Sequence, residues 1–457
     1  MAFVTLHALA ADWLQARLRR RIAQPSVRLS TRAQTSSASP QWRAPGRSSW
    51  RRILTALAVI GPGLITGAAG DDAGGIATYA SVGAQYGYTL LWALVLITVS
   101  LIVVQMQVAR LAAVTGKGLA ELIREQFGVR WTMVAMLVLL VANGAVTAAE
   151  FAGIAAAGEL FAIPRLITVP VAAVVVWLIV VRASYRVAEK IFLVLGAALL
   201  SYVGAAVLAK PDWGQVAVQT VTPSFSLEAG YLTTFITLVG TTITPYMLFY
   251  LQSSISDKGV RLEDYPSVRT DVVLGSVISD LIAAFIIICT AATLFVAGVQ
   301  VATADDAARA LEPLAGAYAK FLFGLGLFGA SMLAASILPL STAYALCGAF
   351  GWERGVSYRW TEAPAFNSLY TALIALAAVF VLAPGLPLLQ VIVATQTLNG
   401  LLLPVVLIFV VRLANDHVIM QGHTNGRVFN ALAYGTTAVL ILLTAALLLT
   451  SALGIGG

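Results

Sequence analysis

Eleven runs of about 20 or more apolar residues punctuate this 457-residue chain, at roughly 53–80, 88–113, 131–158, 163–182, 187–209, 227–255, 270–298, 315–349, 366–383, 387–412 and 428–454. A helix needs about 20 such residues to cross a bilayer, and the backbone must satisfy its own hydrogen bonds there. Repeated runs of this length therefore predict an all-α polytopic membrane protein with eleven transmembrane helices. Composition agrees, with 59% apolar and 11% charged residues and a mean hydropathy of +0.88, outside the range of globular domains.

The cations set the predicted orientation. With the amino terminus in the cytoplasm, 24 of the 28 Lys and Arg residues fall in the tail or in cytoplasmic loops, leaving only Arg165, Lys210, Arg309 and Lys320 outside. The positive-inside rule thus predicts a cell-membrane protein, in a bacterium the inner membrane, with its carboxy terminus outside. The net charge of +7 is accounted for by topology and implies no nucleic-acid partner. Residues 1–50 read as a basic, largely disordered cytoplasmic tail. Within it, Leu14, Leu18 and Ile22 recur at helical spacing, so Leu6 to Ile22 is either an amphipathic helix on the inner leaflet or a stretch without a role.

Two of the runs are interrupted by residues that a membrane helix does not tolerate cheaply. Gly61 to Tyr79 reads GPGLITGAAGDDAGGIATY, with Asp71 and Asp72 among Gly70, Gly74 and Gly75. A carboxylate at membrane depth costs at least ~2.5 kcal/mol, so these acids face protein, water or a cation. The glycines predict that the helix breaks where the acids lie, freeing backbone carbonyls as cation ligands. The sixth run repeats the anomaly, with Thr237, Gly240, Thr241, Thr242, Thr244 and Pro245 in its middle. Pro245 lacks an amide and removes one helical hydrogen bond.

Each break falls in the first span of a five-span unit. That is the pattern of an inverted-repeat transporter with a site at the bilayer midplane. The predicted divisions are a tail at 1–50, a first five-helix repeat at 51–210, a second at 225–412 and an eleventh helix at 425–455. Further polar groups at depth are Asn143, Thr147 and Glu150 in the third run, Asp280 in the seventh, and Gln396, Thr397 and Asn399 before Pro404 in the tenth. The amides of Gln396 and Asn399 either ligate a cation or bond neighbouring helices. Cys289 and Cys347 show no metal-ligand spacing, and His7, His417 and His423 all lie outside the runs. No Ser/His pair or HExxH motif appears, so no enzyme and no cofactor is expected.

These residues resemble the Nramp family of divalent-metal transporters, which adopt the LeuT-type fold of two inverted five-helix repeats plus an extra helix. The resemblance runs from about Arg52 to the end of the last span, through the motifs above, AQYGYTLLW and ARLAAVTGKGLAE. It implies that Asp72 matches the family's metal-binding Asp, Ala73 its Pro, Gly74 its Gly and Gly75 its ligating Asn. In GTTITPY, Thr241 falls where a backbone carbonyl binds metal, Thr244 replaces a Met and Tyr246 a His. A second family His falls at Leu251 or Gln252, Glu150 matches a family acid, and that acid's partner falls on Gly153.

Loss of the thioether leaves an oxygen-only set, with Asp71 as a second acid and Gln396 and Asn399 as further candidates. Oxygen ligands suit Mg²⁺ or Mn²⁺. The expectation is a monomeric secondary transporter in the lipid bilayer that imports Mg²⁺ and/or Mn²⁺ by alternating access, in the manner of the Nramp-related magnesium transporters. Without histidine at depth, weak or absent proton coupling is expected, with Glu150, Asp280 and Tyr246 left for any proton path or access. The alternatives are a proton-coupled Mn²⁺/Fe²⁺ transporter and a Na⁺-coupled carrier of an organic solute on the same fold.

Overall fold

Proline, glycine and side-chain caps divide the apolar runs into helices. The computed structural model describes residues 72–182, 197–356 and 358–453, all within one compact unit, Ala58–Gly457. The tail at 1–50, Asp71, the opening span before Asp72 and the start of the fifth span lie outside the described residues.

Helix α1 (Ala73–Tyr86) begins at Asp72, and α2 (Leu91–Thr115) stops at Gly116, which takes the left-handed conformation (φ 64°) that glycine adopts freely. Helix α3 (Leu119–Leu160) leaves helical geometry at Gly128 (φ 75°, ψ 176°). Its first nine residues therefore form a separate segment ahead of the span. Next come α4 (Arg165–Arg182), α5 (Ser201–Leu208) and α6 (Trp213–Val221), the last capped by Asp212, which accepts from the Gly214 and Gln215 amides at 2.9 and 3.1 Å.

The sixth run is two helices, α7 (Ala229–Thr242) and α8 (Pro245–Asp257), separated by the non-helical Ile243 and Thr244. Helix α9 (Tyr265–Thr290) continues through a π turn, and the short α10 (Ala304–Arg309) and α11 (Glu312–Ala315) lead to α12 (Ala319–Phe350). The chain ends in α13 (Pro364–Val381), α14 (Leu388–Ala414), α15 (His417–Met420) and α16 (Arg427–Leu453).

Among the described residues there is no strand, and eight helical segments are long and apolar enough to cross a membrane. Helix α4 and the stretch 198–208 are shorter apolar helices, and α1 is the described part of the opening span, so each of the eleven predicted runs meets a helix. On the outside of the bundle Leu166, Leu376 and Leu442 are 70%, 70% and 68% exposed. Leucines this bare belong against lipid rather than water.

The centre is built by α3 packing along α12 and α14, and by α7 crossing α14. That second crossing is backbone to backbone. A Cβ added to Gly240 would stand 2.8 Å from Gly400 Cα, and one added to Gly400 would stand 2.7 Å from Ile236 Cγ2. Small residues permit such an approach where lipid gives helices no hydrophobic reason to associate. At the end predicted to be cytoplasmic, Glu121 pairs with Arg354, the Arg124 guanidinium donates to Ala349 O at 2.7 Å, and Gln252 donates to Lys117 O at 3.0 Å. These bonds tie the α2–α3 connection to α8 and to the end of α12.

Candidate functional site

Where α1 starts, three elements bring carboxyl and amide groups together. Asp72 is the N-cap residue of α1, in extended geometry, and its Oδ1 accepts from the Gly75 amide at 2.8 Å. A side-chain oxygen is the usual partner for an unpaired first-turn amide. From α3, Glu150 Oε2 accepts from the Ala73 amide at 3.3 Å, so both carboxyls sit on the same helix start and interact directly. Asp72 is 2% exposed and Glu150 fully buried. Two carboxyls this close in a water-excluded pocket hold either a shared proton or a cation between them. The positive end of α1 adds to the attraction for negative charge.

Helix α14 supplies the third wall. Gln396 is fully buried and accepts from Asn399 Nδ2 at 3.1 Å, while its own Nε2 has no partner and neither has Asn399 Oδ1. A Cβ on Gly74 would overlap that Gln396 nitrogen and come within 3.1 Å of Asp72 Oδ1. Gly74 is thus the gap that lets the Gln396 amide lie against the start of α1, next to Asp72. Replacing Gly74 with Ala is expected to displace the flexible amide end at little cost to folding, leaving the thermal midpoint within a few degrees while cutting metal uptake about tenfold, as for the loss of one polar group at the ion site. Uptake equal to the unaltered protein would show that Gln396 is not needed at the site.

The α7–α8 break faces the same region. Thr241 and Thr244 are each 1% exposed, and the Thr241 hydroxyl has no hydrogen-bond partner. The Thr241 carbonyl would accept from residue 245 in a continuous helix, but Pro245 has no amide to give. Tyr246 is packed among Val146, Met247, Ala334 and Leu338, and its phenol is near enough to feel both Asp72 and Glu150. The side chain of Met247 belongs to this apolar cluster. Gly75 sits in the first turn of α1, where its contribution is the amide that holds Asp72.

Asp280 is not part of this constellation. It is 5% exposed on α9, where it faces Thr98 of α2. Gly153, the position of the missing partner acid, has no room for one, since an added Cβ would stand 2.6 Å from Ala73 Cβ and against the Ser331 hydroxyl. One group escaped the sequence reading. Tyr79 on α1 shares a hydrogen bond with Thr242 Oγ1 at 3.1 Å and so joins α1 to the end of α7. Two helical turns separate it from Asp72, and that periodicity was the available signal. Among the described residues no three His, Cys, Asp or Glu side chains gather as a ready metal cage. The donor set is two carboxyls with hydroxyl, amide and backbone oxygens.

Above this set lies a cavity of about 470 Å³ between α1, α7 and α14. Thr78, Thr237 and Thr397 line it, one or two turns beyond Asp72, Thr241 and beside Gln396 on their respective helices. The cavity and the site share these three helices.

Comparison with known proteins gives this arrangement its context. The family model "Natural resistance-associated macrophage protein-like" (Nramp) matches residues 63–450. The divalent metal cation transporter MntH of Ralstonia nicotianae is 29% identical over 417 residues, covering 87% of this chain and 91% of that protein. The MntH of Acidiphilium cryptum is also 29% identical, over 68% of this chain and 73% of its own. Among solved structures, the Eremococcus coleocola manganese transporter in complex with an aromatic bis-isothiourea substituted compound has a TM-score of 0.67 at 20% identity, with 88% of this chain and 87% of that one covered. Mhp1, a nucleobase-cation-symport-1 family transporter, gives 0.52 at 14%, with 85% and 90% covered. The fold is accordingly LeuT-type, two inverted five-helix repeats with an eleventh helix; α1 starts at Asp72 in the opening span, and the α7–α8 interruption lies at Ile243 and Thr244 in the sixth. With its family model matched along nearly the whole membrane-spanning region, the chain belongs to the Nramp family of divalent-metal transporters.

Proposed function

We propose that this protein imports a hard divalent cation, Mg²⁺ or Mn²⁺, into the cytoplasm by alternating access. The observation that carries this reading is the Asp72–Glu150 carboxyl pair at the start of α1, where the other available donors are oxygens and amides and Met247 belongs to an apolar cluster. Asp72 is the central ligand, the Thr241 carbonyl and Thr244 hydroxyl complete one side, and Gln396 and Asn399 the other. The two amides form a pair that works equally well turned over, presenting Gln396 Oε1 to the ion. Asp71 serves as a second acid on the access path. Glu150 answers the charge of the ion, and Tyr246 replaces a protonatable imidazole by a phenol, which supports weak or absent proton coupling.

Oxygen ligands favour Mg²⁺, Mn²⁺ and Ca²⁺ over softer ions. Mg²⁺ sheds water reluctantly, and a shell with few protein ligands suits an ion that keeps several waters. The name of the Eremococcus coleocola neighbour supports the Mn²⁺ arm. In this reading the protein acts as a monomer in the bacterial inner membrane, amino terminus inside, with its two repeats at 51–210 and 225–412.

The test is an uptake competition in proteoliposomes across Mg²⁺, Mn²⁺, Fe²⁺, Ca²⁺ and Cd²⁺, with and without a pH gradient. Mg²⁺ and Mn²⁺ should compete with each other, Cd²⁺ should compete no better than Mn²⁺, and the gradient should change rates less than about twofold, the range expected without a titrating histidine. A preference for Fe²⁺ or Cd²⁺ with strong gradient dependence would replace this reading by a proton-coupled transition-metal transporter.

A further inference from the structure

The cavity above the site is chemically one-sided. Among the described residues that line it there is no Asp, Glu, Lys or Arg; the polar groups are hydroxyls and amides. The hydroxyls of α7 have already committed their protons to their own helix. Thr233 donates to Ala229 O at 2.8 Å, Thr234 to Gly230 O at 3.0 Å and Thr237 to Thr233 O at 2.7 Å. A hydroxyl has one proton and two lone pairs, so Thr233 and Thr234 keep acceptor capacity for the cavity, whereas Thr237 Oγ1 also shares a bond with Thr397 Oγ1. Across the cavity the exposed amides of Gln85 and Gln390 can turn their carbonyl oxygens inward.

The lining is neutral and its α7 side offers acceptors, while the hydroxyls of Thr78, Ser81 and Tyr86 and the two amides are free to turn lone pairs inward, so a ligand that offers only donors suits this wall. A hydrated divalent cation is such a ligand, because its bound waters point every hydrogen outward. Six waters at about 30 Å³ each occupy roughly 180 Å³, well within the cavity. Thr237 Oγ1 and Thr397 Oγ1, both in the lining, are joined at 2.6 Å and link α7 to α14. We infer that this cavity is a second cation site, which binds the substrate ion fully hydrated through its water shell before any water is shed at Asp72. The inference rests on the transport reading for the identity of the ion, but its recognition chemistry stands on the threonines alone.

Hexaamminecobalt(III) is the probe, since it presents outward N–H donors in the same octahedral shape and exchanges none of its ligands. Two measurements are made on the full-length protein: binding of the probe by titration calorimetry, and its inhibition of Mg²⁺ and Mn²⁺ uptake in proteoliposomes. The unaltered protein should bind one equivalent and be inhibited. The double variant Thr233→Val with Thr234→Val keeps side-chain shape and should weaken both binding and inhibition about tenfold, as for two lost hydrogen bonds. Thr233→Ser with Thr234→Ser keeps the hydroxyls and should restore them. Uptake without probe binding, or binding equally strong in the valine variant, would overturn the inference. Hydroxyl-dependent binding in a protein that moves no metal would uphold the cavity site and overturn the transport reading instead.

Discussion

Metal uptake in proteoliposomes should fall at least about 100-fold when Asp72 is replaced by Asn, and Asp72→Ala should abolish it. The two substitutions separate the roles of this side chain. Asp72 caps α1 through the Gly75 amide and also carries a charge at the helix start. Asn is as good a cap as Asp, so Asp72→Asn keeps the helix start and removes only the charge. Ala removes both, at an added cost of about 1 kcal/mol of helix stability. Losing one charged ligand from a buried site costs about 3 kcal/mol or more of ion binding, which sets the expected factor. The Asn variant should remain monodisperse with a near-normal thermal midpoint. Uptake by that variant at the unaltered rate would remove Asp72 from the site and, with it, the proposed mechanism.

Much of the architecture was legible because a bilayer imposes its length on every crossing element. Each apolar run meets a helix, and the second break was readable from Pro245 and the threonines before it, since proline withholds the amide that the Thr241 carbonyl needs. The segment 119–127 was not readable as helix. Glu121, Arg124 and Glu125 make it look like a loop, yet Leu119, Leu122 and Ile123 are buried, and Gly128 lets the chain turn from this segment into the span.

The site was legible in its parts and not in its assembly. Asp72 and Glu150 each stood out as charges in apolar surroundings, but only the packing of α3 against α1 joins them, with the Glu150 carboxylate reaching the Ala73 amide across 77 positions of sequence. The same holds for Gln396, whose approach to the start of α1 depends on an absent side chain at Gly74. Asp280 carried an equally strong signal in sequence and turns out to stand on a different interface, against α2. Intramembrane cost marks an acid as special without saying which neighbour it serves.

Selectivity should move with residue 244. Thr244 is buried at the start of α8, beside the break, where a hydroxyl stands in place of the thioether that the family resemblance implies. Thioether sulfur is a soft, polarisable ligand that binds Cd²⁺ well and Mg²⁺ poorly, whereas a hydroxyl does the reverse. Thr244→Met is therefore expected to raise the potency of Cd²⁺ as a competitor of Mn²⁺ uptake by about tenfold, with Mg²⁺ competition weakened by a similar factor, each equivalent to ~1.4 kcal/mol. Bulk alone must be excluded, because Met is larger than Thr and the position is tightly packed. Thr244→Leu supplies that control, having similar volume without sulfur. If Leu shifts Cd²⁺ competition as much as Met does, packing and not ligation governs the change. If neither shifts it, residue 244 lies outside the ion's coordination shell, and the oxygen preference has to come from Asp72, Glu150 and the amides of α14 alone.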